Sequence, residues 1–168
     1  VWARDKYKCF YCNCNTKSIP EIHHLNGNHS DNSKDNLTTV CSLCHQSHHL
    51  DIVSTTNGGK IIWLPEFSQQ ELNYLCRALF IAQEQCEQAE MNRADIVSFA
   101  KVAKNILTSL EERVLVLEQC FKGGNCSEPG VFANVLLNLP EDKYKSRGET
   151  LYAFKLLHSK TRFNKHVK

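Results

Sequence analysis

The sequence predicts an α+β protein: a small zinc-stapled module of two strands and a helix, followed by a mainly helical region. Three observations carry this. Cysteines and histidines crowd into the first 49 residues as close pairs. Between those pairs, two short apolar runs flank a polar, turn-rich loop, the pattern of a hairpin. From Ser68 onward apolar residues recur every three or four positions, the period of one helix face. With 42% hydrophobic and 23% charged side chains over 168 residues, the chain has a globular composition, which excludes disorder.

Cys9-Phe10-Tyr11-Cys12 and Cys41-Ser42-Leu43-Cys44 are two C-x-x-C pairs separated by 28 residues. A tight turn within each pair brings two sulfurs to tetrahedral spacing, and four thiolates select Zn²⁺ in a closed, structural site. Binding the ion supplies folding energy that so short a module does not obtain from apolar burial. Buried cysteines or a redox C-x-x-C are the competing readings, and two matched pairs weigh against both. Cys14 adds a thiol to the same neighbourhood. Cys41 to His45 also fits the haem-attachment spacing, but its partner pair and the single methionine argue against that reading.

Glu21-Ile22-His23-His24 and Leu37-Thr38-Thr39-Val40 enclose the loop that begins Leu25-Asn26-Gly27-Asn28, and they read as paired strands. Residues Cys44 to Leu50 read as the start of a helix. His45 and His49 stand i, i+4 there and so share a helical face, with His48 a competing ligand. His29 reads as an exposed loop residue.

The first module is expected to occupy residues 1–53, and Ser54 to Gly59 reads as a turn or linker. The second region, 60–168, opens with a short strand, Ile61-Ile62-Trp63-Leu64, stopped by Pro65. Ser68-Gln69-Gln70-Glu71 has capping-box spacing, and Leu72, Leu75, Cys76, Leu79 and Phe80 then form a helical stripe. Further runs cover Ile96, Phe99, Ala103, Ile106 and Leu110, then Val114 and Leu117, before a break at Gly123-Gly124. Ser127 as N-cap with Pro129 opens a helix through Leu139 that Pro140 ends. A last basic helix is expected to carry Leu151, Phe154 and Leu157.

The net charge of +2 is too small to announce a polyanionic partner, but charge is uneven along the chain. From Lys143 to Lys168 eight basic residues face one acid, while Glu66 to Glu118 holds nine acids against five bases. A basic end beside an acidic middle steers a polyanion to one side. Unpaired thiols in metal-ligand spacing point to a reducing, cytoplasmic setting. No apolar run approaches the length of a membrane span, so membrane insertion is not expected.

Arg4-Asp5, Tyr7, Cys9, Tyr11-Cys12, His23-His24, Asn36-Leu37 and Cys41-x-x-Cys44-His45, taken in order, resemble the HNH endonuclease (ββα-metal) superfamily. That resemblance implies His23, His45 and His49 as ligands of a catalytic divalent ion such as Mg²⁺, Mn²⁺, Ni²⁺ or Zn²⁺. It implies His24 as general base, Asn36 as the loop brace, and DNA as substrate, with Arg4, Lys6, Lys8 and the basic tail meeting phosphates. Across most of the chain, the run Ile61 to Asn73, Glu128 to Phe132 and Leu157 to Phe163 resemble the IcmJ/DotN family. Those proteins are type IVB coupling-complex components, so the resemblance also implies a coupling ATPase as partner, at the inner face of the inner membrane. Because the family includes members with replaced HNH histidines, a catalytically silent adaptor is the alternative function.

Overall fold

Before the first strand the chain makes a tight knuckle. Lys6, Tyr7 and Asn13 adopt left-handed backbone (φ 53°, 53° and 54°), and Asn13 N–H donates to the Cys9 carbonyl at 2.7 Å. Cys9 N–H in turn donates to the Cys14 carbonyl at 3.0 Å, which folds the first C-x-x-C pair back on itself. The computed structural model describes residues 1–88, 94–120 and 124–163. Gly123 and the end of the basic tail, including Lys165 and Lys168, lie outside the described residues.

The expected hairpin forms. Strand β1 (Glu21–His24) pairs antiparallel with β2 (Leu37–Val40), with Glu21 opposite Val40 and His24 opposite Leu37. Helix α1 (Ser42–Gln46) follows at once, with Cys41 as its N-cap. The helix expected through Leu50 is broken: after α1 come turns in which His48 N–H donates to the His45 carbonyl and His49 N–H to that of Gln46. His49 then caps a new helix, α2 (Leu50–Thr55), at φ −133°. Part of the expected linker is therefore helical, and α2 packs on α6 (Pro129–Leu137). A Cβ added to Gly130 would stand 2.6 Å from Ser54 Oγ, so the missing side chain permits this close approach.

Strand β3 (Gly59–Trp63) precedes helix α3 (Gln69–Gln88). The capping box is present: Glu71 N–H donates to Ser68 Oγ at 3.2 Å, and Ser68 N–H donates to Glu71 Oε2 at 2.7 Å. Helix α4 (Ala94–Glu112) packs along α3, and α5 (Val114–Cys120) follows it directly. The cap of α6 is Glu128 rather than Ser127. Its carboxylate accepts from Val131 N–H at 2.9 Å, a stronger partner for an orphan amide than a hydroxyl. That helix ends at Leu137, earlier than the proline alone suggested, and short helices α7 (Glu141–Lys145) and α8 (Arg147–Thr150) follow.

The last basic helix is replaced by a strand. Phe154–His158 forms β4, antiparallel to β3 with Gly59 opposite His158 and Trp63 opposite Phe154, and a short α9 (Lys160–Phe163) comes after it. The reason is tertiary. Both faces of β4 are covered, and even Lys155 is only 7% exposed, so β3's free edge and the core outweigh local helical periodicity. Burial of the Lys155 ammonium lowers its pKa, because desolvation disfavours the charged form.

One core runs through both halves of the chain. Cys9, Cys12, Cys41, Leu43 and Cys44 belong to the same buried cluster as Leu72, Cys76, Phe80, Leu110 and Leu157. Each fully buried leucine or phenylalanine there contributes about 1.5–3 kcal/mol of transfer free energy. Cys76, fully buried on α3 as its stripe predicts, has its thiol pushed up to about 11 by desolvation and is inert. Among the described residues no helix is long and apolar enough to cross a membrane.

Candidate metal centres

Helix α1 divides two clusters of metal-ligating side chains. On one side, the sulfurs of Cys9, Cys12, Cys41 and Cys44 all lie within 4.8 Å of one another, and all four residues are buried. Four sulfurs about 2.3 Å from a central ion stand about 3.8 Å apart in a tetrahedron. Cys12 Sγ and Cys41 Sγ are 3.7 Å apart, so the donor set fits Zn²⁺. The Cys41 sulfur also accepts from Cys44 N–H at 3.5 Å, an amide that orients the thiolate from within the turn.

These thiols cannot all ionise side by side. Hydrogen bonds from neighbouring thiols hold Cys9 and Cys12 well below the ordinary thiol range. Once their charge is in place, Cys14, Cys41 and Cys44 are pushed up. A divalent cation removes that conflict, and a cysteine set of this charge belongs with one. Cys14 is half-buried and interacts with Cys9, Cys12 and Cys41, yet it lies outside the set of four mutually close sulfurs.

The helical region reaches the sulfur cluster, which the sequence did not reveal. Asn73 of α3, 2% exposed, donates from Nδ2 to Cys44 Sγ at 3.3 Å. Its Oδ1 accepts from Gln69 Nε2 at 2.8 Å and meets His158 Nε2 of β4 at 2.9 Å. One turn along α3, burial works against the charge of the Arg77 guanidinium, but the nearby thiolates of Cys41, Cys14, Cys12 and Cys44 outweigh it and raise its pKa. A four-thiolate zinc centre carries two negative charges, and Arg77 is the cation placed to balance part of them.

On the other side of α1, His23, His45 and His49 bring one ring nitrogen each within 4.8 Å of one another. His23 comes from β1, buried at 7%; His45 comes from α1; His49 comes from the cap of α2. His45 and His49 therefore meet across a helix break, with ring centroids 4.7 Å apart. Desolvation and the neighbouring histidines hold His23 at about 4, so it presents a neutral imidazole at pH 7, the form that ligates. His48 lies outside this trio: its exposed ring stacks on Tyr11 at 4.7 Å and leans on His23 at 4.6 Å. Glu21 Oε2 sits 2.6 Å from His45 Nδ1.

His24, at the end of β1, meets Asn32 Oδ1 through Nε2 at 3.2 Å and stacks on His29 at 5.1 Å. His29 is exposed, as its loop position predicts, but its ring also lies 5.8 Å from that of His49. The loop between the strands thus brings a histidine back to the cluster. Asn36, 7% exposed, ties this loop at its start and its middle: Oδ1 accepts from Asn26 N–H at 2.9 Å, and Nδ2 donates to the Asp31 carbonyl at 2.8 Å. Arg4 is exposed but engaged within the chain. It donates to Asp5, to the Lys34 carbonyl and to the Leu37 carbonyl, while Asp5 accepts from Thr39 N–H.

Over 169 aligned residues the chain is 28% identical to the type 4 apparatus protein DotN of Legionella pneumophila, covering 99% of this chain and 74% of that protein. The similarity to DotN runs along nearly all of this chain. It therefore extends over both the cysteine-rich N-terminal part and the helical region that follows it. No protein-family model matches the chain.

Proposed function

We propose that this protein is a DotN-like component of a type IV secretion or conjugation apparatus that carries an HNH-type, divalent-metal-dependent phosphodiesterase site. The likeness to DotN supports the first half of this reading. The observation that carries the second is the convergence of His23, His45 and His49 beside a zinc-fitting thiol cluster. Those three imidazoles would hold a divalent ion such as Mg²⁺, Mn²⁺, Ni²⁺ or Zn²⁺, which would supply Lewis acidity for phosphodiester cleavage. His24 takes the proton from the attacking water, and Asn36 keeps the loop that carries Asn32 and His29 in place. The four cysteines hold the hairpin and α1 in the geometry that the histidines need.

The test is nicking of supercoiled plasmid by the zinc-loaded protein with Mg²⁺, Mn²⁺ or Ni²⁺. Loss of a general base costs about 10²–10⁴ in rate, so His24→Ala is expected to fall to background. Equal, background nicking by wild type and His24→Ala overturns the enzyme reading.

A second reading, a silent adaptor that docks a coupling ATPase on its helical half, draws on the apolar side chains that half leaves exposed. Phe99 is 69% exposed on α4 and Leu137 77% on α6. Retention of coupling-ATPase tails in a pull-down, lost on Leu137→Glu or Phe99→Glu, supports it; failure to retain any tail counts against it.

A further inference from the structure

We propose that Glu21 is a positioning residue for the histidine cluster: it fixes His45 in the Nδ1–H tautomer and so turns the Nε2 lone pair toward His23 and His49. The inference deepens the reading of that cluster as a metal site and rests on it for its consequence, though not for its geometry.

The placement follows from strand register. Glu21 pairs with Val40, the last residue of β2 and the one before the Cys41 cap. His45 N–H donates to the Cys41 carbonyl at 2.9 Å, so His45 lies one helical turn beyond that cap. The first residue of β1 therefore faces the first turn of α1, and Glu21 Oε2 meets His45 Nδ1 at 2.6 Å. Glu21 and His23 are two apart on β1, so both side chains leave the same face of the strand. That places the carboxylate and the buried imidazole on one side of the hairpin, facing α1 together.

A carboxylate accepts and does not donate when ionised, so Nδ1 must carry the proton in this contact. Neutral imidazole has one lone pair, which is then at Nε2. Nδ1, engaged at 2.6 Å, has no room for an ion. The ring is also held by its neighbours, 5.4 Å from His23 at an interplanar angle of 80° and 4.7 Å from His49 at 87°. A plain surface ion pair would leave the ring free to turn, and such pairs contribute little. Here the side chains of His45 and Glu21 retain only 24% and 30% of their exposure, and the imidazole is wedged among other imidazoles. A carboxylate behind a ligating histidine raises the ring's donor strength and fixes its direction, and removing it weakens metal binding about 10–100-fold.

The experiment uses the full chain carrying one equivalent of zinc, as wild type, Glu21→Ala, Glu21→Gln and His49→Ala. Long-range ¹H–¹⁵N NMR reads the His45 tautomer directly, and Ni²⁺ titration reads the affinity of the histidine cluster. The expected result is an Nδ1–H tautomer in wild type, a shift toward the Nε2–H form in Glu21→Ala, and partial rescue in Glu21→Gln, whose amide oxygen still accepts. Ni²⁺ affinity is expected to fall about 10–100-fold in Glu21→Ala and less in Glu21→Gln. An unchanged tautomer in Glu21→Ala overturns the proposal, whatever the metal does. If wild type and His49→Ala both take up no Ni²⁺ while the tautomer shift occurs, the metal reading is lost and the role of Glu21 in orienting His45 stands.

Discussion

Replacing Asn73 tests whether the helical region supports the sulfur cluster. Asn73→Leu keeps the branched heavy-atom skeleton of a residue that is 2% exposed and removes three polar contacts at once. His158, 3% exposed, then loses the partner of its Nε2, and its Nδ1 already has none. A stranded buried polar group costs about 1–3 kcal/mol. The lost donor to Cys44 adds about 0.5–1.5 kcal/mol. Gln69 loses less, because its amide also donates to the Leu156 carbonyl at 2.9 Å and accepts from Leu156 N–H at 2.8 Å. The sum is about 2–4 kcal/mol, which in a chain of this size lowers Tm by on the order of 10 °C. Guanidinium denaturation of the zinc-loaded protein measures the first quantity, and competition with a chromophoric chelator measures zinc affinity, expected to weaken about tenfold. Asn73→Asp separates the two effects. It keeps an acceptor for His158 but sets a carboxylate against the Cys44 thiolate, so zinc affinity falls further than stability. A loss under about 0.5 kcal/mol in Asn73→Leu with unchanged zinc affinity refutes the reasoning.

Three further outcomes follow from single residues. Burial holds the His158 imidazole at about 4 against 6.5 in the unfolded chain, so unfolding takes up a proton below 6.5. Stability is then full above that pH and falls by about 1 kcal/mol between pH 6.5 and 5.5; His158→Gln flattens this segment of the denaturation-versus-pH curve, and an unchanged slope contradicts it. Cys14→Ser keeps one tightly held zinc per chain by elemental analysis, whereas Cys9→Ser loses it; zinc loss in Cys14→Ser moves Cys14 into the ligand set. A Cβ on Gly59 runs into the Leu157 carbonyl, so Gly59→Ala parts the β3–β4 ladder and lowers the denaturation midpoint by more than about 1 kcal/mol; a neutral Gly59→Ala places β4 elsewhere.

Which features were legible from sequence depends on the range over which they are encoded. The C-x-x-C pairs, the capping box at Ser68 and the hairpin around Asn26-Gly27 are local: spacing and side-chain chemistry within a few residues determine them. The strand at Phe154–His158 is not. Its apolar residues fit a helix period, and only the open edge of β3, some ninety residues earlier, makes the extended form better. The helix break after Gln46 was hidden for a related reason, since no glycine or proline marks it and His49 serves as a cap without a side-chain hydrogen bond. Asn73, Gln69 and His158 lie within runs that the sequence singles out, but no spacing among them marks a shared contact. Their relation is a three-way meeting of α3, β4 and α1, visible only once those elements are packed. Glu21 stood beside the histidine pair in the sequence, and its alternation with His23 along a strand was the signal that placed both on one face.

The two clusters share one short helix, and this has a physical consequence. Cys44 and His45 are consecutive, so they project about 100° apart around α1. Five residues of helix cannot hold a direction by their own hydrogen bonds, since a single turn lies below the length at which isolated helices persist. The direction of His45 is therefore set by what grips α1 on its other side: Cys41 and Cys44 in the sulfur cluster, Leu43 in the core at 1% exposure, and Asn73 behind Cys44. From the front, Glu21 fixes the remaining freedom, the rotation and tautomer of the ring. The histidines are positioned by the thiols and the thiols by the helical region, which is why a core continuous through both halves suits a metal site better than a finger standing alone.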